Sequence, residues 1–324
     1  MGNQHMNADD ERAILDAVAV WAEKELRPVA KDYDLADEYP TQVVEQMKEL
    51  GLFGATISPE YGGLGLSAWT YAQIVMKVSS IWMAPCGIFN SHLIMASAIE
   101  RAGTEAQKRE FLPRMATGAF RGSLGLTEPN AGSDLQAIRT VARRDGDDYV
   151  VNGSKTWITN SLHGHGTLLL VKTDPKAEPR HAGMSLLLAE KGPGFVVAGK
   201  LKKMGYRAID SCELGFQDYR VPAGRLLGGV EGKGFVQTAG GLELGRINVA
   251  ALINDLEIPT IGIGAGKEAD GQVLVTHDML GITKDFKPRF LRRYLELFDA
   301  IEGATQRYIA DVKSNDFPND SEQY

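Results

Sequence analysis

Two cysteines, Cys86 and Cys212, are all that this 324-residue chain holds. They stand far apart and show no metal or redox spacing, so each is expected as a buried or half-buried thiol in a reducing compartment. No run reaches the ~20 apolar residues a membrane span needs. The opening segment, MGNQHMNADDERAI, lacks the apolar stretch of a secretory signal. A cytoplasmic chain without a membrane span is the expectation. Basic arms and patches are missing as well, and the net charge of -7 argues against nonspecific nucleic-acid binding. Internal repeats and low-complexity linkers are absent.

What is present is an ordinary globular composition, 44% hydrophobic and 24% charged, with enough apolar material for a real core. Residues 8–120 read as helical. In AILDAVAVWAEKEL the residues Ile14, Leu15, Val18 and Trp21 share one face, and Pro28 marks a bend or end. TQVVEQMKELGLF is a second helix, punctuated by Gly51. SAWTYAQIVMKVSS, GIFNSHLIMASAIERAG and TEAQKREFLPRMATG are three more, the last capped by Thr104.

The texture changes near Arg121. GSLGLT, RTVARRDGDDYVVNGSKTWIT, GTLLLVKTD, GMSLLLAE, GFVVAGKL and SCELGFQDYRVP read as short strands, with DGDD and NG as hairpin turn signals. A second change comes near residue 252. EIPTIGIGAG and GQVLV read as buried strands, and FKPRFLRRYLELFDAIEGATQRYIADVKS as a long helix, an order found in α/β proteins. The expected organisation is multi-domain α+β. A helical domain (1–120) and a β-barrel or sandwich (121–232), each with its own core, are followed by a short helical segment (233–251). A partial α/β tail (252–324) closes the chain.

LGLTEPNAGSD, Leu124 to Asp134, resembles the signature loop of acyl-CoA dehydrogenases. GSKTWITN follows about one hairpin later, and MKELGLFGATISPEYGGLG matches the family's N-terminal domain. The resemblance covers residues 8 to about 250. Two spaced motifs in order, inside the proper domain, are far more specific than one Gly-rich loop. The resemblance implies FAD, an acyl-CoA substrate, electron-transfer flavoprotein as redox partner, and a homo-oligomer. Small residues at Gly125, Ala131 and Gly132 would let backbone approach a flat ring. Leu124, Leu126, Thr127 and neighbouring amides would meet the ring's polar edge. Trp157, flanked by Ile158, offers an aromatic face. In the family the Thr159 position reaches toward flavin N5, and that of Ser133 touches FAD phosphates or the acyl-CoA. Taken singly, each hydroxyl would be an ordinary strand or turn group, Trp157 a core aromatic, and Glu128-Pro129-Asn130 a simple turn. Asn130 stands where Gly is commoner, a residue that tolerates positive φ.

GLELGRINVAA resembles the start of the helix that follows the family's β domain. Glu243 and Arg246 share a helix face there and, by resemblance, border the thioester and pantetheine; a solvated surface pair is the equal alternative. The family's carboxylate base lies within a C-terminal helical domain in most members, and in some immediately before this arginine. Here that position is Gly245. Glu243, two residues earlier, is turned by about 200° and is a poor substitute, though it is the one catalytic candidate. The same helical domain supplies part of the FAD site, so weak flavin binding or none is expected.

LEIPTIGIGAGKEADGQVLVTHDMLGI, with FKPRFLRRY and RYIADVKSNDFP, resembles the C-terminal end of ketopantoate hydroxymethyltransferase, a (β/α)8 barrel that uses Mg²⁺. A barrel takes ~250 residues. The tail would hold two strands and the closing helices, without the family's metal-binding aspartates, lysine or glutamate. Gly262, Gly264 and Gly266 read best as backbone packing, and His277-Asp278 as structural or loop-capping. No metal site is expected. Open strand edges and apolar faces in such a fragment invite association. Three readings stand: a flavin-dependent acyl-CoA dehydrogenase, impaired by the missing base; a hydroxymethyltransferase by its tail; and a non-catalytic chimera.

Overall fold

The computed structural model describes residues 7–254, 261–262, 271–284 and 291–323. The chain divides into two compact units, Met1–Asp255 and Leu256–Tyr324. None of the helices among the described residues is long and apolar enough to cross a membrane.

The first unit opens with α1 (Ala8–Trp21), capped by Asn7, whose side chain accepts the Asp10 N–H. A π-turn (Ala22–Leu26) leads directly into α2 (Arg27–Ala36). Pro28 therefore does not end the helical run: it directly follows the π-turn, a local widening in which the Arg27 N–H reaches back five residues to the Ala22 carbonyl. α3 (Thr41–Glu49) stops before Gly51, whose φ of 71° only glycine adopts freely. α4 (Ala68–Ser79), α5 (Met83–Ala102) and α6 (Glu105–Ala116) complete the helical part. Thr104 and Gln107 cap α6 reciprocally, each side chain bonded to the other's backbone N–H.

Seven strands follow in one curled mixed sheet: β1 (Gly122–Gly125), β2 (Val141–Asp145), β3 (Asp148–Thr159), β4 (Gly166–Lys172), β5 (Met184–Glu190), β6 (Phe195–Lys200) and β7 (Ser211–Pro222). The order runs β1-β4-β2-β3-β7-β6, with β5 on β4. Among the described residues the ladder does not close into a barrel. β2 and β3 form the hairpin expected at DGDD, with Asp145 opposite Asp148. The Asn152-Gly153 pair is not a turn. It continues β3 opposite an extra residue on β7, and Gly153 at φ 146° lies so close to Thr140 that an added Cβ would come within 2.7 Å of that residue's Cα.

The cores are not separate as expected. Alternation along β4 and β5 sends Leu168, Leu170, Leu186 and Leu188 into one cluster with the helices. Leu169, Val171, Leu187 and Ala189 enter a second, with Tyr149, Val151 and Phe216. Both faces of these strands are buried, which is why they read as unbroken apolar runs. Cys86 and Cys212 are free and buried. α7 (Gly234–Asn254) then returns to the helices, its Asn248 donating to the Tyr71 hydroxyl of α4 at 3.1 Å.

The second unit pairs β8 (Ile261–Gly262) with β9 (Gly271–Gln272) in parallel and adds α8 (Thr276–Met279) and α9 (Leu297–Ser314). GQVLV is no buried strand. Only Gly271 and Gln272 pair, and Val273 and Val275 are 46% and 55% exposed, because no further described element covers them. The expected long helix begins later, at Leu297; residues 286–290 lie outside the described residues. Gly262 ends β8, while Gly264 and Gly266 also lie outside them. His277 and Asp278 sit on the single turn of α8.

Candidate flavin-binding site

β1 delivers the chain to a loop that doubles back at once. Glu128 and Ala131 exchange backbone hydrogen bonds of 2.9 and 3.0 Å, leaving Pro129 and Asn130 at the tip of a tight turn. Pro suits the first tip position, and Asn130 is not among the residues at positive φ, so the asparagine meets no special backbone demand.

Beneath the turn the Glu128 carboxylate is buried and fully engaged. It accepts the Arg139 N–H at 2.6 Å, the Thr140 N–H at 3.0 Å and the Lys155 ammonium at 2.8 Å. The Lys155 side chain is completely buried and also donates to the Leu126 carbonyl at 3.0 Å. Burial works to raise the Glu128 carboxyl, but the Lys155 charge and these donors outweigh it and hold the group below the usual range. Burial pulls Lys155 down to about 8, against the opposing pull of Glu128. The two face each other as an ion pair at neutral pH.

Immediately after Lys155, β3 bulges against β7. Trp157 takes a left-handed φ of 62° and the residue is 55% exposed. A bulky residue in that region is costly and is held there by its surroundings. Two anchors do so here. The Thr156 N–H donates to the Thr127 carbonyl at 2.9 Å, fastening the bulge to the loop. Asn160, also left-handed, donates from Nδ2 to the carbonyls of Ile88 and Gly122 at 2.7 and 3.3 Å. Behind β1, buried His92 accepts the Gly122 N–H on Nδ1 (3.2 Å), so Nε2 carries the proton given to the Phe53 carbonyl (3.0 Å).

The expected site residues divide into two groups. Gly132, Ser133 and Trp157 are exposed, and Thr127 and Thr159 are half-buried. Among the described residues nothing bonds to the Thr127, Ser133 or Thr159 hydroxyl. An added Cβ on Gly132 would find only Thr127 Cγ2, 4.0 Å away. Leu124, Leu126 and Ile158 turn inward and pack in the cores, so only their backbone faces the loop. Gly125 is small for a different reason from the one expected. Its Cβ would meet Thr167 Cγ2 at 2.7 Å, so the glycine serves strand packing, and buried Ala131 likewise belongs to the core. Free hydroxyls, open glycine backbone and an aromatic face displayed by a strained bulge suit a flat, polar-edged ring such as flavin.

On α7, Glu243 does not pair with Arg246. Its carboxylate meets Arg101 of α5 at 2.9 Å, and Arg101 also donates to the Gly240 carbonyl at 2.9 Å. Arg246 is exposed. Gly245 packs over Ile94, whose Cδ1 would lie 2.9 Å from an added Cβ. Among the described residues no group of three or more His, Cys, Asp or Glu side chains could hold a metal.

Residues 8–119 match the acyl-CoA dehydrogenase N-terminal domain and residues 123–219 the acyl-CoA dehydrogenase middle domain. Residues 241–320 match ketopantoate hydroxymethyltransferase, a match that begins within α7. The chain is 38% identical to (2S)-methylsuccinyl-CoA dehydrogenase of Cereibacter sphaeroides over 248 residues, 74% of this chain and 45% of that protein. It superposes on butyryl-CoA dehydrogenase from Megasphaera elsdenii with a TM-score of 0.72 at 33% identity, covering 76% of this chain and 65% of that one. Against a glutaryl-CoA dehydrogenase from Mycobacterium smegmatis in complex with FADH2, the TM-score is 0.68 at 29% identity, with coverage of 76% and 61%. The chain thus spans about half to two thirds of the length of these relatives. Residues 8–219 thus carry the N-terminal and middle domains of the acyl-CoA dehydrogenase family, and a segment similar to ketopantoate hydroxymethyltransferase follows them.

Proposed function

We propose that the first unit is the FAD- and acyl-CoA-recognising part of an acyl-CoA dehydrogenase, and that alone it does not complete α,β-dehydrogenation. The observation that carries the reading is Trp157, held exposed at φ 62° beside a loop stitched down by the buried Glu128–Lys155 pair. The chemistry a bound flavin supplies is acceptance of a hydride from the thioester's β-carbon. Trp157 would carry one face of the ring, and Thr127 and Thr159 would donate to its polar edge. Ser133, exposed at the loop's end, would reach the phosphates or the thioester chain. Removal of the α-proton needs a carboxylate within hydrogen-bond reach of it. Glu243 is committed to Arg101, and the position before Arg246 is a glycine. Electron-transfer flavoprotein is the acceptor that a completed dehydrogenase of this kind would use.

The test is the visible spectrum of the chain titrated with FAD, followed by anaerobic addition of a panel of acyl-CoA thioesters. A perturbed, saturable flavin spectrum that no thioester bleaches is expected. A free-FAD spectrum at every concentration overturns the flavin reading. Bleaching by one thioester shows a working base, and Glu243→Gln is then the first variant to make.

A further inference from the structure

α9 is an 18-residue helix with no buried residue. Ile301, Tyr308 and Val312 stand 49%, 56% and 43% exposed. An isolated helix of this length is marginal in water, and most helix stability comes from covering an apolar face. At about 100° per residue, Ala304, Leu297, Tyr308, Ile301, Val312, Thr305, Phe298 and Ile309 fill one continuous arc of about 140°. One edge of this arc carries Glu302 and Lys313, and the other carries Asp311 and Arg307. Each edge thus holds one acid and one base.

That arrangement complements itself. When two identical helices pack antiparallel about a two-fold axis, each edge meets the same edge of its partner. Residues at equal distances on either side of the axis then face each other. The midpoint of Glu302 and Lys313 falls between Arg307 and Tyr308, and that of Arg307 and Asp311 falls at Ile309. The two midpoints differ by about 2 Å along the helix, well within side-chain reach. One axis near Tyr308 therefore satisfies both edges at once, forming four cross-helix ion pairs around an apolar seam.

We propose that α9 is an interface through which two copies of this chain pair, their helices antiparallel about a two-fold axis at Tyr308. Among the described residues the competing contacts are few: Lys284 lies over the Phe298 ring at 4.6 Å. Lys284 lies 3.7 Å from Glu302 and 3.8 Å from Asp299, all well exposed. Phe317 leans edge-on against Tyr308 at 5.6 Å and extends the seam. Because the pairing uses only the second unit, it stands or falls independently of the flavin reading.

Sedimentation velocity of the full chain from 1 to 100 μM tests it. A monomer–dimer equilibrium is expected. Ile301→Asp should weaken it at least tenfold and leave the thermal transition of the first unit unchanged, since α9 belongs to neither core cluster. Lys313→Glu should weaken it several-fold, and adding Glu302→Lys should restore it, because the reversed pair is again complementary. Tyr308→Cys should give disulfide-linked dimers under mild oxidation, whereas Ala310→Cys, on the far side of the helix, should not. A monomer throughout the range overturns the proposal. So does a dimer indifferent to Ile301→Asp, or cross-linking at residue 310 as ready as at residue 308.

Discussion

The Lys155 ammonium lies 2.8 Å from the Glu128 carboxylate, with 0% and 7% of the two side chains exposed. Removing one partner of a buried pair strands the other charge, which typically costs about 3–5 kcal/mol. Lys155→Met should therefore lower the melting temperature sharply, as should Glu128→Leu. The double variant should regain part of the loss, because neither charge is then stranded. Recovery should be incomplete, since the Arg139 and Thr140 N–H groups lose their acceptor whenever Glu128 goes. A thermal-denaturation cycle over the four proteins measures this; additive losses would show the pair to be uncoupled.

This pair also shows where sequence legibility ends. The helices were readable because their apolar spacing, the Thr104 cap and Gly51 are local signals, all realised in the fold. The flavin loop was readable because two distinctive segments follow each other at a fixed interval. Lys155 was not. A lysine within a strand reads as an outward residue, yet alternation from Val151 sets Lys155 opposite Leu214 on the inward side, and the register shift that follows turns Trp157 out. The partner of Glu243 was equally hidden. Arg101 is distant in sequence, and nothing local separates it from Arg246, three residues away. Asn152-Gly153 misled for the opposite reason: the dipeptide favours a turn, but pairing of β3 with β7 on both sides of it keeps it within the strand, and the extra residue there lies on β7.

His92 supplies an acid-sensitive element. Its ring is fully buried, and that burial is the main cause pushing its pKa from 6.5 down to about 4. The unfolded chain binds the proton near pH 6.5, while the folded chain resists it until about 4. The unfolded state thus holds more protons between these values, and stability falls as pH falls through that window. The loss should approach about 3 kcal/mol by the lower end. Urea denaturation from pH 7.5 to 4.5 measures it. In His92→Gln the slope over this window should flatten, even if the variant is less stable at neutral pH.

Both thiols should be silent in the native protein. Cys86 and Cys212 each show 0% exposure, and burial pushes both thiols upward, so little reactive thiolate forms near neutrality. Ellman's reagent at pH 8 should detect almost none before denaturation and two per chain afterwards. Rapid reaction of one thiol in the native state would mean that the core around it opens readily.

Trp157 joins two effects that different substitutions separate. Its ring offers the aromatic face, and its backbone occupies a left-handed conformation that a side chain disfavours. Trp157→Ala removes the ring but keeps a Cβ at φ 62°; because the residue is more than half exposed, stability should change little. Trp157→Gly also relieves the backbone, and should be more stable than Trp157→Ala by about 1 kcal/mol. Both should weaken FAD binding at least tenfold if the ring is the platform. Equal stability of the two variants would mean that the bulge stores no strain at this residue. Unaltered FAD affinity in both would remove Trp157 from the flavin site, whatever its backbone does.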